Sequence, residues 1–375
     1  MTSTEKLLME LIALPSVNPA FLPSNDPHAG EQRVAEFLAS VAANAGLDVE
    51  FQAVLPNRAN LVARLTPSGP VTQRILLAPH LDTVGAAADG FSPRARSLRI
   101  HGRGACDTKG SVAAMLSAVA AIARDGKRPA KTEIVFVGLV DEENAQAGSR
   151  GFAQSGISAS LAIIGEPTQL KIVTAHKGSL WLRMETRGKA AHGSTPNLGR
   201  NAVHEMARIV DLLETKYAAQ LRKRRHPLLG SGTINVGTIA GGTQPNIVPS
   251  ACSIAIDRRT LPGENENSVR REINALLKQH GLRARFDNEK PAPCLPLETD
   301  HKIPHVSQFL TSAGQRRPAG VDFFCDAAVL AAAGIPSVVF GPGSLAQAHT
   351  DDEWISRSSL NSATALLTRF LRGLP

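Results

Sequence analysis

The 375-residue sequence has only four cysteines, few aromatic residues and no long apolar run. Because the cysteines are scattered and form no Cys-x-x-Cys pair, we expect no disulfide framework. We expect reduced thiols in the cytoplasm instead. No stretch reaches the roughly 18 consecutive apolar residues of a membrane-spanning helix, and the charged, amphipathic start does not resemble a secretory signal. We therefore expect a cytoplasmic protein without a membrane partner. The cysteines are Cys106, Cys252, Cys294 and Cys325.

The chain also lacks the motifs of nucleic-acid and nucleotide binding. Its formal charge is +8, but the compact basic run at 222–225 has no aromatic stacking platform beside it and is interpreted as a solvated loop or helix end. The glycine-containing segment 102–110 matches neither the Gly-x-Gly-x-x-Gly nor the P-loop spacing. A nucleic-acid partner and a metal-free nucleotide site are therefore disfavoured, whereas modest positive charge would help to attract a carboxylate-bearing substrate.

The length and the 43% hydrophobic content allow two domains of ordinary size. In the first part of the chain, helical and strand patterns alternate, and the apolar runs 133–140 and 161–165 are typical of strands buried on both faces. Strand and helix patterns of the same style return at 335–341 and 356–372. We therefore predict an α/β domain with a mixed, largely parallel sheet, formed by residues 1–174 and 291–375.

Between these parts the pattern changes to strand, helix, strand, strand, helix, strand. This β-α-β-β-α-β order is a split βαβ unit that can form a small α+β domain of its own. A proline-rich stretch at 291–296 predicts a crossing back to the first domain. Residues 175–290 are thus predicted to be a domain inserted into the larger one.

Candidate chemistry begins at the ends of predicted strands, where functional groups gather in open α/β sheets. His80 and Asp82 are two residues apart, so on extended chain both side chains face the same side, and the carboxylate can orient the imidazole for a metal. A hydrogen-bonded turn is the alternative. Asp107 follows a glycine-rich turn that leads into an Ala-rich helix; it either lies near the top of the sheet or caps that helix.

Further carboxylates follow other buried strands. The acids at 141–143 would repel one another unless they were solvated or neutralised by a cation; an exposed acidic loop is the alternative. Glu166 closes the next buried strand, and His349 supplies a late histidine. Two histidines and three carboxylates suffice for two divalent ions with positions open to water, and Glu142 is then free to act as general base. The five candidate ligands are His80, Asp107, Glu143, Glu166 and His349.

These residues also resemble a known family. The segments 80–84, 102–110, 141–143 and 165–168, together with His349, are similar in kind and order to the signature series of the M20 metallopeptidases. The resemblance implies a zinc-peptidase-like catalytic domain with two divalent metal ions, zinc first, cobalt or manganese as alternatives. It implies that the inserted domain serves dimerisation and acts as a lid, so we expect a homodimer.

The resemblance also implies a role for each ligand. One zinc would be held by His80 and Glu166, the other by Glu143 and His349, and Asp107 would bridge them.

Around these ligands, Asp82 would orient His80, and Glu142 would deprotonate the bridging water. In the inserted domain, His192 resembles the family's oxyanion-stabilising histidine, presented across the dimer. Asn246 and Arg258 lie on segments that resemble substrate-contacting strands, and Arg258 is the candidate to bind the substrate α-carboxylate.

The segment 341–353, with its Gly-Pro-Gly-Ser run before His349, is most similar to acetylornithine deacetylases within the family. We therefore expect removal of an N-acyl group, N-acetyl first, from a small amino acid, as in arginine biosynthesis. Succinyl-diaminopimelate desuccinylase and a dipeptidase or carboxypeptidase of the same family are alternatives. A ligand-binding protein that has lost activity is a further one, although no predicted ligand is replaced. Cys325, where many relatives carry serine or threonine, bears on substrate preference.

Overall fold

The computed structural model describes residues 1–87, 89–126, 128–289 and 293–375. The chain divides into two compact units. Unit 1 contains Met1–Thr174, Thr299–Ala319 and Cys325–Pro375, and unit 2 contains Ala175–Glu298 and Gly320–Phe324. The predicted boundary at residues 290 and 291, where the proline-rich crossing begins, lies outside the described residues.

The helices follow the sequence pattern closely where one face is apolar. In α1, the Thr2 side chain accepts a hydrogen bond from the Glu5 backbone N–H, and the Glu5 carboxylate accepts one from the Thr2 backbone N–H, a capping box that fixes the start of the helix. The helices are α1 Ser3–Ile12, α2 Gln32–Asn44, α3 Lys109–Arg124, α4 Ala147–Gln154, α5 Ala202–Leu212, α6 Ala218–Lys223, α7 Glu266–Gln279, α8 Pro304–Ser312, α9 Ala327–Ala332 and α10 Arg357–Arg372.

The strands are β1 Asp48–Leu55, β2 Arg58–Leu65, β3 Gln73–Pro79, β4 Arg94–Arg96, β5 Arg99–His101, β6 Thr132–Gly138, β7 Leu161–Gly165, β8 Val173–His176, β9 Gly178–Arg187, β10 Thr233–Gly241, β11 Ala251–Thr260, β12 Arg285–Asn288, β13 Leu297–Glu298, β14 Ala319–Val321, β15 Ser337–Val339 and β16 Trp354–Ser356.

The larger sheet runs β1-β2-β6-β3-β7-β15-β8-β13, and β14 also pairs with β8. Its central strands β6, β3, β7 and β15 are parallel, whereas β1, β2 and β13 pair antiparallel. The predicted α/β class with a mixed sheet is confirmed, and its parallel part is this centre. Strands β6 and β7 are buried along their whole length, as their continuous apolar runs predicted.

Helices α1, α3 and α10 contribute to the main hydrophobic core against the sheet. Helix α3 is buried over most of its surface. Its small alanine side chains allow neighbouring elements to pack close to its backbone. A second, three-stranded sheet, β16-β5-β4, joins the segment before α3 to the segment before α10. This pairing brings together loops that are some 250 residues apart in the chain.

Unit 2 has the predicted element order, from β9 through α5, β10, β11 and α7 to β12. Its sheet, β10-β11-β9-β12, is antiparallel throughout. A π-helical turn, Leu213–Tyr217, connects α5 to α6. The basic run 222–225 is exposed at the end of α6, as its interpretation as a solvated helix end predicted.

Two features concern the expectations about disulfides and membrane-spanning helices. All four cysteines are buried thiols. Among the residues that the structure describes, no helix is both long and apolar enough to cross a membrane.

Candidate metal centre

His80 anchors the buried side of the centre, directly after β3. Its side chain is only 1% exposed, and its Nε2 lies 3.1 Å from Asp107 Oδ1 and 3.8 Å from Glu166 Oε1. Parallel strands β3 and β7 are neighbours in register, with Pro79 opposite Gly165. The residues that follow these strand ends, His80 and Glu166, therefore meet at the same edge of the sheet.

Asp107 lies between His80 and His349. One carboxylate oxygen faces His80, and the other, Oδ2, lies 3.4 Å from His349 Nε2. Asp107 does not cap α3, because Thr108 occupies the N-cap position. Asp107 thus presents one carboxylate oxygen to each of the two predicted histidine ligands.

Glu143 and His349 form the other side. His349 Nε2 lies 3.2 Å from the Glu143 carboxylate. His349 adopts a left-handed backbone conformation, with φ of +59°, and its side chain is 54% exposed. The acids at 141–143 are buried or half-buried, so the interpretation of this segment as an exposed acidic loop is wrong.

These separations fit cation binding. Ligands at 2.0–2.1 Å around a tetrahedral zinc ion stand roughly 3.3 Å from one another. Within the described residues, His80, Asp107 and Glu143 form a group whose ligand atoms lie within 4.8 Å of each other. Glu166 Oε1 is buried and has no hydrogen-bond partner in the described chain, as expected for an oxygen that is reserved for a metal.

The electrostatics of the site also favour cation binding. Burial, followed by repulsion from Asp107, raises the pKa of Glu143, although the hydrogen bond with His349 opposes it. Burial also raises the pKa of Glu166 well above its usual 4.5. Burial alone would lower the pKa of His80, but the carboxylates of Asp107 and Asp82 outweigh it and raise that pKa well above 6.5. Several acids thus share one buried space, where they repel one another. Bound cations would relieve this repulsion.

Asp82 connects the histidine to the acidic loop. His80 Nδ1 lies 2.9 Å from the Asp82 backbone oxygen and 3.4 Å from its Oδ1. The same carboxylate accepts hydrogen bonds from the backbone N–H groups of Glu142 and Glu143, each at 3.1 Å. Asp82 therefore contacts the far side of the His80 ring and also holds the loop that carries Glu142.

Glu142 lies beside the ligands without being one of the closely spaced set. No hydrogen bond or ion pair of its carboxylate is found among the described residues. Burial, followed by repulsion from Glu166, raises the pKa of Glu142 well above 4.5. A carboxylate of raised pKa has a property required of a general base at neutral pH.

A buried polar network behind this loop was not predicted. Asn18 donates hydrogen bonds to Asp82, at 2.8 Å, and to Asp141, at 3.0 Å. Arg58 in turn pairs with Asp141, at 2.9 Å, and with Glu31. Nothing in the local sequence marks Asn18 or Arg58, because their partners are 64 to 123 residues away for Asn18 and 27 to 83 for Arg58. Glu353 was missed for the same reason, since its partner Asp107 is 246 residues away.

In unit 2, the structure brings the His192 and Asn246 segments together. His192 pairs with Ile247 in an antiparallel bridge, and the Gly193 N–H donates to the Asn246 carbonyl at 2.7 Å. The Ser194 N–H donates to His192 Nδ1 at 3.2 Å. In the neutral ring Nδ1 is then the acceptor and Nε2 carries the proton, which leaves an exposed N–H donor.

The structure does not leave Arg258 free to bind a substrate carboxylate. Its side chain is fully buried and its Nη2 donates to both oxygens of Glu264, at 2.9 and 2.8 Å. The physical reason is the period of the strand: in β11, alternate residues from Cys252 through Ile254 and Ile256 face the core, and Arg258 continues that series. The alternation of Ile254 and Ile256 in the sequence already indicated that Arg258 faces the core.

The comparisons with known proteins agree with the geometry. Residues 76–373 match the model of peptidase family M20/M25/M40. The chain belongs to this family. Acetylornithine deacetylase of Myxococcus xanthus is 31% identical over 87% of this M20 chain and 87% of its own length. Acetylornithine deacetylase of Edwardsiella ictaluri is 31% identical over 97% and 96%. As an M20 member with these relatives, the chain is a metal-dependent amide hydrolase.

Solved structures share the fold. Aminopeptidase PepT of Bacillus cereus superposes with a TM-score of 0.77 at 21% identity, over 98% of this chain and 97% of its own. The YXEP protein of Bacillus subtilis, a dinuclear metal-binding peptidase of the M20 family, gives a TM-score of 0.71 at 13% identity, over 98% and 96%. At these identities the likeness concerns the fold alone.

Proposed function

We propose that this chain hydrolyses the N-acyl amide of a small amino acid, with N-acetylornithine as the first substrate to test. The observation that carries the proposal is the arrangement of His80, Asp107 and His349, in which one carboxylate faces two imidazoles at 3.1 and 3.4 Å. The full-length likeness to acetylornithine deacetylases supports the acyl and amino-acid choice.

Two cations fit the residues present. His80 and Glu166 would hold one, Glu143 and His349 the other, and Asp107 would contact both. Divalent ions bound there supply Lewis acidity, which makes a water more acidic and polarises the acyl carbonyl. Zinc is our first choice because the set of imidazole and carboxylate ligands suits it, and cobalt or manganese are alternatives.

The chain's own groups then move the proton. Glu142 would accept it from the attacking water and pass it to the leaving amine, a shuttle of the kind that contributes about 10²- to 10⁴-fold. Asp82 would keep Glu142 in place through the backbone hydrogen bond at 3.1 Å. Because Asp82 holds the loop that carries Glu142 and contacts the His80 ring, we treat Asp82 as a positioning residue.

We further propose that His192, presented across the dimer, donates a hydrogen bond from its Nε2–H to the oxyanion of the tetrahedral intermediate, a contact of a kind typically worth about 3 kcal/mol. The hydrogen bond from the Ser194 N–H supports this role, because it keeps the proton on Nε2. Asn246 is proposed to contact the substrate beside it. Arg258 is left out of this proposal, because its guanidinium is bound to Glu264.

We also propose a homodimer through unit 2. Strand β10 lies at an edge of its sheet, and Ile239 on it is 56% exposed. Open, apolar edge strands favour pairing with another chain. Light scattering should then give twice the chain mass of 39.7 kDa; a monomer at micromolar concentration would contradict this.

The substrate is tested with a hydrolysis panel. The metal-loaded enzyme is offered N-acetylornithine, N-succinyl-diaminopimelate and a dipeptide under the same conditions. We expect kcat/KM for N-acetylornithine to exceed that for the dipeptide by at least about tenfold, a difference of roughly 1.4 kcal/mol in transition-state binding. A preference for the dipeptide would replace deacetylation by peptidase activity, and a preference for the succinyl substrate would replace it by desuccinylation.

A further inference from the structure

Glu353 is a buried carboxylate that the proposed reaction does not use. It follows His349 by four residues and is 2% exposed, whereas its neighbours Asp351 and Asp352 are exposed. Burying a single carboxylate of an acidic run is costly unless its oxygens are fully hydrogen-bonded. The partners of Glu353 therefore indicate what it is for.

Those partners all come from the segment that presents Asp107. The Glu353 main-chain oxygen accepts a hydrogen bond from Gly102 N, at 3.0 Å. Its carboxylate accepts four more, with two donors for each oxygen. The donors are Cys106 N at 2.7 Å and Asp107 N at 2.9 Å for Oε1, and Gly104 N at 2.9 Å and Arg103 Nη1 at 2.7 Å for Oε2.

Strand pairing explains why Glu353 reaches this segment. Strands β16 and β5 are antiparallel, with Trp354 opposite His101. The loop before β16 carries His349, and the loop after β5 carries Asp107. Glu353 thus lies at the junction of the two loops that supply the bridging carboxylate and the exposed histidine.

The segment cannot hold this shape by itself. Gly104 has φ of +82°, and a Cβ there would meet the Lys109 side chain at 2.8 Å. The N–H groups of Gly104, Cys106 and Asp107 point to Glu353 instead of forming a regular helix or strand. Without an acceptor these buried donors would lack partners, so the segment would rearrange to satisfy them.

We propose that Glu353 is a positioning residue of the metal centre, one that fixes the Gly102–Asp107 segment so that Asp107 presents one oxygen to each side. The inference rests on the proposed two-cation site. Glu353 acts through the backbone of Asp107 and does not touch the cations or the substrate. Removing such a support typically weakens metal affinity or activity by about 10- to 100-fold.

The test is Glu353→Gln, which preserves size but turns one acceptor oxygen into a donor that faces two other donors. Glu5→Gln is the matched control, because Glu5 is also 2% exposed and also binds an arginine, Arg357, at 2.8 Å. Zinc chloride is titrated into each metal-free protein by calorimetry. We expect about 10- to 100-fold weaker zinc binding for Glu353→Gln, a lower kcat with little change in KM, and wild-type zinc binding for Glu5→Gln.

Wild-type zinc affinity in Glu353→Gln would overturn the inference, even if its unfolding midpoint fell as in Glu5→Gln. Should Glu353→Gln not fold, Glu353→Asp decides by the same criterion, because it retains the charge but withdraws the oxygens from Asp107 by one methylene. If wild-type protein fails to bind two zinc ions or to hydrolyse any N-acyl amide, the proposed function fails instead. The two failures are therefore distinguishable.

Discussion

The two halves of the metal centre differ sharply in the exposure of their histidines, although the carboxylates of Glu166 and Glu143 are each 7% exposed. The His80 side chain is 1% exposed and directly follows a central strand, whereas the His349 side chain is 54% exposed and lies on a loop. Both face the same carboxylate, Asp107. The difference indicates that His80 is fixed by the sheet, while His349 depends on the conformation of its loop.

The largest expected effect concerns the group that belongs to neither half. Glu142→Gln should lower kcat by about 10²- to 10⁴-fold, because the water and the leaving amine lose their proton carrier. Metal content should stay at the wild-type value, since Glu142 is not in the ligand set. Steady-state kinetics and atomic absorption on the same sample measure both.

Glu36→Gln, on the exposed face of α2, is the control for a surface glutamate. It should leave kcat unchanged. Turnover near the wild-type level in Glu142→Gln would remove the proposed base while leaving the ligand set intact.

The next effect tests the two halves directly. His349→Ala should lose one of two bound zinc ions but cost the metal-free protein only about 0.5 kcal/mol of unfolding free energy, as at an exposed site. His80→Ala should cost about 3 kcal/mol or more, because it leaves Asp82, Asp107 and Glu166 buried without their shared partner. Urea unfolding with chelator present measures the stability, and atomic absorption measures the metal.

Equal losses of stability in the two variants would contradict the division into a fixed and a loop-borne half. A His349→Ala protein that still holds two zinc ions would show that His349 is no ligand.

Four of the five candidate ligands were singled out from the sequence because each stands beside a local signal. His80, Glu143 and Glu166 follow continuous apolar strands, and Asp107 follows a glycine turn, so neighbouring residues alone indicate that they lie at the carboxyl edge of a sheet. That they meet was inferred from the resemblance and from the rule about strand ends.

What supports the ligands was not predictable in this way. The contact of Glu353 with Asp107 spans 246 residues, and three acids in a row give no indication of which one is buried. The edge strand β1 was missed although its residues alternate between polar and apolar over 48–53. Arg258 was misread although the period of two along β11 was available.

The smallest effect extends the comparison to a buried carboxylate whose partner is a guanidinium. The hydrogen bond from Arg357, helped by Asn361, outweighs burial and lowers the pKa of Glu5 to about 2 from 4.5. Because the folded value is the lower one, Glu5 stabilises the fold fully above about pH 4.5, and this contribution disappears as the pH falls towards 2.

The free energy of unfolding of the wild type should therefore exceed that of Glu5→Gln by on the order of 1 kcal/mol at pH 7. This gap should narrow below pH 4.5. Urea unfolding of both metal-free proteins at several pH values between these limits measures it. A gap that is constant with pH would mean that Glu5 contributes through packing alone. A gap that narrows would show that the same buried charge, destabilising among the acids of the metal centre, stabilises the fold where an arginine faces it.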